Sequence, residues 1–174
     1  MTRSGKRQEI EKLKDVLDGI DTAMFTTVAG DGRLVSRPLR MQEIDEDGAM
    51  WFVTDRHSHK IDELAARPRV NVAFAAPSDN TYVSISGKAT VLFDKARLNQ
   101  LWSPAMTIFY PDGVDDPDLC LLRVDMDGAE YWDSPGGVVG NALYLAMAAI
   151  TGEAGVLSEN RSMELDDPST ARSR

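Results

Sequence analysis

The stretch AMWFVTDRHSHKIDEL, residues 49–64, joins an apolar run directly to a helix-forming segment. Its first part, Met50 to Val53, is rich in aromatic and β-branched residues and predicts a buried strand. Ser58 is a good N-cap, apolar residues follow it at helical spacing, and Pro68 marks the stop of a predicted helix from Ser58 to Arg67. The sequence therefore predicts a strand that leads straight into a helix N-terminus.

This predicted junction is suited to an anion. The first turn of a helix has free backbone N–H groups and the positive end of the helix dipole, which favour a negative group, most simply a phosphate. Lys60 adds a full positive charge in this turn, where the dipole alone would favour an acid. A strand, a cap and a helix are also an ordinary connection, and a lone lysine is usually solvated, so the pattern alone leaves both interpretations open.

The segments before this stretch predict a helix and a hairpin. Residues Gly5 to Leu17 have the apolar spacing of an amphipathic helix that caps one end of a barrel. The strands Met24–Val28 and Arg33–Ile44 are joined by a turn at Ala29–Gly32. Pro38 cannot donate a hydrogen bond to a neighbouring strand, so we expect an edge, a bulge or an opening in the sheet at that position.

The segments after it predict further strands and a helix. In order, they are strands Val70–Ala76 and Tyr82–Phe93, a helix Asp94–Met106, and a final hairpin of Leu119–Asp125 and Ala129–Asp133 that turns at Asp127–Gly128. Six short strands joined mostly by tight turns, with helices at the rim, indicate a mainly β fold: a six-stranded antiparallel barrel, closed or split.

Several motifs carry a resemblance to a known family. Thr54, Ser58 and Lys60 behind an aromatic strand resemble the flavin phosphate motif of the pyridoxamine 5'-phosphate oxidase-like superfamily, and the chain is similar to its general stress protein 26 group of flavin-binding split barrels from about Glu9 to about Gly152. The other motifs are SRPLRM (residues 36–41), YVSISGKATV (82–91), FYPDG (109–113), DDP (115–117), the strand at 121–124 and EYWD (130–133).

The resemblance implies a site for flavin mononucleotide, FMN. It implies that Arg37, Ser58 and Lys60 hold the phosphate, with His59 in the same turn, and that Thr54 holds the phosphate or the ribityl chain. It places the ring edge against Pro38, Leu39, Trp51, Phe52 and Val53. An interruption at Pro38 would leave backbone groups that a flavin ring can satisfy. Tyr82 and Trp132 match positions that face the cofactor across a dimer interface, although a large aromatic in a barrel strand is more often core.

The resemblance also implies the assembly and the domain limits. We expect residues 1–152 to form the FMN-binding domain and residues 153–174 to form a polar, mobile tail. The terminal helix expected at Val138–Ile150 has little polar surface and needs cover from the barrel or from another subunit. The family builds each flavin site from two chains, so a homodimer with its sites at the interface is expected.

Two departures argue against pyridoxamine phosphate oxidation itself. The oxidase has a lysine where this chain has Gln42, and its closing segment rich in Trp, Arg and His has no counterpart here. No catalytic residue can be assigned from the sequence. A flavin-dependent oxidoreductase and a flavin storage protein that acts during stress therefore remain open as functions. A relative that binds deazaflavin F420 or haem is a third interpretation.

The composition of the chain limits the partners, the cellular location and the metal sites that we expect. The chain has 174 residues, enough for one domain with a full core, and its net charge of −9 argues against nucleic acid or an anionic membrane surface as partners. No apolar run approaches the ~20 residues that cross a bilayer, and the N-terminus lacks a signal-peptide core, so a cytoplasmic protein is expected. The lone Cys120 predicts a buried small hydrophobe, and His57 and His59 fall short of any zinc ligand spacing.

Overall fold

The computed structural model describes residues 10–11, 13–79 and 81–132. Residues 10–11 and 13–17 belong to a first helix, α1. The further elements are β1 (Thr22–Val28), β2 (Leu34–Ile44), β3 (Met50–Asp55), α2 (His59–Ala66), β4 (Arg69–Ala76), β5 (Thr81–Leu92), α3 (Lys95–Leu101) and β6 (Leu119–Trp132), with 3₁₀ turns at Pro77–Asp79, Pro104–Ile108 and Gly113–Asp115.

The six strands form a closed antiparallel barrel in the order β1-β2-β3-β6-β5-β4. The predicted fold class is therefore confirmed: a mainly β protein with flanking helices. Alternate residues of each strand fill the interior, where the rings of Phe25 and Phe52 meet edge to face at 5.4 Å. Leu13 and Leu17 of α1 belong to the same core, which is the capping role expected of that helix.

The barrel opens where β2 changes partner. Residues 34–40 of β2 pair with β1, and the register with β3 runs only from Met41, opposite Phe52, to Ile44, opposite Met50. Pro38 lies in the part of β2 that has left β3, where its missing N–H removes no bond to that strand. Of the edge, the bulge or the opening expected at Pro38, the structure has the opening. We call the gap between residues 37–40 of β2 and residues 53–55 of β3 the split.

The predicted hairpin at Asp127–Gly128 is wrong. β6 runs unbroken from Leu119 to Trp132 and pairs with β5 along its length, and the register shifts between Ser86 and Gly87. The turn-like residues mark a bulge in a long strand, because the continuous partner β5 holds both halves in one ladder. Gly87 is required there: a Cβ atom would lie 2.4 Å from the carbonyl oxygen of Asp125.

The helix predicted at Asp94–Met106 is shorter than expected. Asp94 caps α3 by accepting a hydrogen bond from the backbone N–H of Arg97 at 2.9 Å, as its cap position indicated. The helix ends at Leu101, and a 3₁₀ turn begins at Pro104, because proline cannot supply the N–H that a continuing helix needs.

Some predicted elements lie outside the described residues. They are the start of the first helix, the helix at Val138–Ile150 and the tail at 153–174. Within the described part of the chain, no helix is long and apolar enough to cross a membrane.

Candidate functional site

The junction of β3 and α2 is formed as the sequence predicts. β3 ends at Asp55, and Ser58 is the N-cap of α2. The Ser58 hydroxyl, however, makes no hydrogen bond to the helix backbone and instead accepts one from the side chain of Lys60. The cap residue therefore serves the lysine rather than the helix.

Lys60 is a buried cation held by neutral groups. Its residue is 6% exposed, and Nζ lies 2.7 Å from Thr54 Oγ1 and 2.6 Å from Ser58 Oγ. Burial, and then the nearby Arg37, lower the pKa of Lys60 below its ordinary value. Among the described residues, Lys60 forms no salt bridge. A buried ammonium that only hydroxyls solvate is favourably placed to take an anion.

Arg37 reaches the same region from β2 but is paired with an acid. Nη1 donates to Glu63 Oε2 at 2.9 Å and Nη2 donates to Glu63 Oε1 at 3.3 Å. Nη1 also donates to Thr27 Oγ1 at 2.8 Å, and that hydroxyl donates to Glu63 Oε2 at 2.5 Å. These bonds, that from Arg37 first, lower the pKa of Glu63. We call Arg37, Thr54, Ser58, Lys60 and Glu63 the anion cluster.

Beside the anion cluster lies a cleft of about 260 Å³. It occupies the split, with Pro38 and Leu39 of β2 on one side and Val53 of β3 on the other. The segment after α3 closes it. Its lining is mainly apolar and consists of Thr22, Pro38, Leu39, Arg40, Gln42, Val53, Ala105, Met106, Phe109 and Tyr110.

Tyr110 completes the hydrogen bonding of the split. Beyond Phe52 the β2–β3 register ends, and the carbonyl oxygen of Val53 accepts a bond from Tyr110 Oη at 3.0 Å. Burial raises the pKa of Tyr110 above its ordinary value, so the hydroxyl keeps its proton at neutral pH. A side chain therefore supplies the donor that a neighbouring strand would otherwise provide.

The structure separates the residues predicted to meet a ring edge. Pro38, Leu39 and Val53 line the cleft. Phe52 points into the barrel core, whereas Trp51 packs with Val53 in a second cluster outside the barrel. Trp51 does not line the cleft; its Nε1 donates to Asp45 at 2.8 Å, and Arg97 stacks 4.6 Å from its ring. Strand alternation explains why Phe52 lies on the face opposite to Trp51 and Val53.

Other predicted residues lie away from the cleft. Tyr82 and Trp132 are cross-strand partners on β5 and β6, both are partly exposed, and neither lines the cleft. His59 is exposed at the first position of α2. Nε2 of His57 lies 3.0 Å from Asp118, and no group of three or more metal-ligating side chains occurs within the described residues.

Sequence reasoning missed several residues of this region. Glu63 is visible in the sequence only as an acid early in a helix, and Thr27 only as a strand residue. Tyr110 stands in a quoted motif, but the pattern carried no sign that its hydroxyl would reach β3. These roles depend on contacts between separate segments, 26 residues apart for Arg37 and Glu63, 36 for Thr27 and Glu63, and 57 for Val53 and Tyr110.

The model of the family described as pyridoxamine 5'-phosphate oxidase like matches residues 8–155. The chain belongs to this family. Among curated proteins, bli-3 of Neurospora crassa is 25% identical, over 95% of this chain and 84% of that protein. The resemblance noted in the sequence is confirmed.

Solved structures extend the likeness. A putative general stress family protein from Xanthomonas campestris is 31% identical over 75% of this chain and 90% of its own, with a TM-score of 0.62. A general stress FMN/FAD binding protein from Xanthomonas citri is 27% identical over 90% of this chain and 98% of its own, also at 0.62. A protein from Clostridium acetobutylicum related to general stress protein 26 shares the fold, at 19% identity and a TM-score of 0.65.

Gln42 distinguishes this family member from the oxidase pattern at the cleft. Its side chain lines the cleft, and Nε2 donates to the carbonyl oxygen of Arg40 at 3.0 Å. At this position the chain therefore presents a neutral amide to the cleft rather than a charged side chain.

Proposed function

We propose that this chain binds FMN in the split and acts as a flavin-dependent oxidoreductase. One observation carries the proposal: a buried lysine is hydrogen-bonded to the hydroxyls of Thr54 and Ser58, and Val53, the residue before Thr54 on β3, lines a mainly apolar cleft. A ligand that satisfies both parts has an anionic end and a flat apolar body. Among common redox cofactors, FMN has this form, with a terminal phosphate and an isoalloxazine ring.

The anion cluster fits a phosphate. Lys60 and Arg37 provide two cations, Thr54 and Ser58 provide hydroxyls, and the N-terminus of α2 adds its dipole. We assign the phosphate to Arg37, Ser58 and Lys60, with His59 at the exposed edge of the same turn. Thr54 would contact the phosphate or the ribityl chain.

The cleft fits the ring. Pro38, Leu39 and Val53 present side chains to it, whereas Trp51 and Phe52 would meet a ligand only through the β3 backbone. The relative from Xanthomonas citri described as an FMN/FAD binding protein supports a flavin here. When bound, the isoalloxazine supplies the electron transfer. The residues of this chain hold its phosphate, orient its ring and exclude water from one face.

We also propose a homodimer with the site at the subunit interface. Strands β1, β5 and β6 expose large apolar side chains, among them Met24, Tyr82 and Trp132. A contact between two copies would cover these side chains and would bring Tyr82 and Trp132 to the partner's ring. Such an interface would bury on the order of 2,000 Å² or more. Sedimentation that finds a stable monomer still holding flavin would contradict this assembly.

A flavin carrier without turnover is the second candidate. Among the described residues that line the cleft, only Arg40 and Tyr110 are ionisable, and the Tyr110 hydroxyl is bonded to a backbone carbonyl. Stopped-flow mixing with a nicotinamide nucleotide separates the two candidates. Reduction of bound flavin at a catalytically useful rate supports the oxidoreductase, and a flavin that stays oxidised supports the carrier.

Two measurements test the binding proposal itself. The absorbance spectrum of the purified protein identifies an oxidised flavin and distinguishes it from deazaflavin or haem. Titration with FMN and with riboflavin then isolates the phosphate. Two or three charge-assisted hydrogen bonds imply a preference for FMN of roughly a hundredfold or more. Equal affinities would show that the anion cluster does not hold the phosphate.

A further inference from the structure

The anion cluster contains an acid that a phosphate site does not need. Glu63 lies one helical turn after Lys60 on α2, and its side chain is 12% exposed. Its two carboxylate oxygens accept from both terminal nitrogens of Arg37, at 2.9 and 3.3 Å. The open end of the guanidinium fork, which suits bidentate contact with a phosphate, is therefore occupied by a carboxylate.

Thr27 fixes this pairing. Its hydroxyl donates to Glu63 at 2.5 Å and accepts from Arg37 at 2.8 Å, and the residue is fully buried on β1. Three elements, β1, β2 and α2, thus meet in one hydrogen-bonded triad. Without Glu63, the cation of Arg37 would stand near the buried cation of Lys60 with no acid hydrogen-bonded to it within the described residues.

We propose that Glu63 is the internal counter-ion of the anion cluster, which stabilises the empty site and thereby lowers its affinity for the phosphate of FMN. This inference rests on the proposed function, because it assigns Arg37 to the phosphate. Glu63 neutralises one of the two cations when no ligand is present. When the dianionic phosphate binds, the same carboxylate is a nearby like charge that weakens the complex.

The substitution Glu63→Gln separates charge from shape. Glutamine is almost isosteric, so it removes the negative charge but leaves a hydrogen-bonding side chain of the same length. Asp62→Asn is the matched control, since it makes the same change of charge at the neighbouring, exposed position of α2. Titration with FMN and riboflavin and thermal unfolding with and without FMN are measured for the wild type and both variants.

We expect Glu63→Gln to raise the preference for FMN over riboflavin by about fivefold or more, with riboflavin affinity unchanged. The empty variant should melt at a lower temperature than the wild type, because Arg37 has lost its ion pair. Saturating FMN should reduce this difference in melting temperature between Glu63→Gln and the wild type, since the bound phosphate replaces the negative charge that the variant lacks. Asp62→Asn should change the preference much less. If Glu63→Gln has the wild-type preference for FMN over riboflavin, Glu63 has only a structural role. If the preference is lower, Glu63 positions Arg37 for the phosphate. Either result overturns the proposal.

Two further arms keep the test decisive. If Glu63→Gln does not fold, Glu63→Asp withdraws the carboxylate from the Arg37 fork, and a smaller rise in preference is expected from it; a fall overturns the proposal.

Inorganic phosphate is the probe that needs no flavin. If phosphate stabilises Glu63→Gln more than it stabilises the wild type, the role of Glu63 is supported. This holds even if the wild type does not prefer FMN over riboflavin, a result that would refute only the proposed function. If the wild type prefers FMN but Glu63→Gln gains nothing with either ligand, only the inference on Glu63 fails.

Discussion

The anion cluster and the cleft lie side by side in the split but are built differently. The anion cluster consists of buried and partly buried polar side chains that are hydrogen-bonded in two groups, Arg37 with Glu63 and Lys60 with Thr54 and Ser58. The cleft is formed mainly by apolar side chains from four segments, namely β1, β2, β3 and residues 105–110, and its lining includes Phe109, which is 69% exposed. In the proposed function, the anion cluster recognises charge through a few residue identities, whereas the cleft recognises shape through the course of the backbone. Substitutions in the two regions should therefore affect FMN and riboflavin differently.

Lys60→Ala should have the largest effect on this difference. It removes the buried ammonium, so FMN affinity should fall by about a hundredfold, the equivalent of one strong charge-assisted contact. Riboflavin affinity should hardly change, because the cleft is intact. Fluorescence titration of both flavins measures the two affinities, and Lys88→Ala, at an exposed lysine on β5, is the control. A parallel loss for both flavins would mean that Lys60 supports the cleft rather than the phosphate.

Alkaline pH should reproduce part of that loss without a substitution. The pKa of Lys60 is lowered, chiefly by burial, so the free protein loses this proton at a pH below the ordinary value for lysine. Phosphate binding needs the ammonium, so FMN affinity should decline as the pH rises through the lowered pKa. Riboflavin titrated at the same pH values is the internal control. A preference for FMN that stays constant up to the ordinary lysine pKa would contradict this charge state.

Arg37→Lys should have the next largest effect, a loss of about tenfold in FMN affinity. A single ammonium cannot bond to both oxygens of Glu63 in the planar geometry of a guanidinium and also serve a phosphate. Arg33→Lys, at an exposed arginine outside the split, should leave both affinities unchanged. Isothermal titration calorimetry can measure these affinities. If Arg37→Lys binds FMN as tightly as the wild type, Arg37 does not contact the phosphate.

Trp132→Ala should lower the affinity for both flavins alike, by about fivefold, the size of one aromatic contact. Trp132 is 47% exposed and is proposed to contact the flavin ring bound by the partner subunit. Because FMN and riboflavin share this ring, the substitution should not change the preference for FMN over riboflavin. Trp132→Phe, which keeps an aromatic ring, should retain most of the affinity. If Trp132→Ala is much less stable to heat but binds both flavins as the wild type does, Trp132 contributes to packing and not to flavin binding.

Tyr110→Phe should have the smallest effect, a loss of about 1 kcal/mol in the free energy of unfolding. The change leaves the carbonyl oxygen of Val53 without its donor but keeps the aromatic ring at the cleft. Urea unfolding of the variant and of the wild type measures the difference. If both proteins unfold at the same urea concentration, the hydroxyl of Tyr110 contributes nothing to the stability of the split.

Local features were predicted well from the sequence. The strand, cap and helix of residues 50–67 and the capping residue Asp94 follow from patterns within a few positions. The hairpin predicted opposite Gly87, however, was wrong. Turn-like residues at 127–128 signal a change in the backbone, and only the pairing with β5 decides that the change is a bulge.

The sequence pattern by itself predicted a mainly β barrel, an interruption at Pro38 and the strand, cap and helix that bring Thr54, Ser58 and Lys60 together, because these depend on residue type and on short-range spacing. The place of Arg37 was implied by the family resemblance. Only the tertiary structure decided that Arg37 is paired with Glu63, that Trp51 does not line the cleft and that Tyr110 bonds to Val53. The physical reason is that strand register and crossing contacts choose the face and the partner of each side chain, and a one-residue shift in register reverses the face.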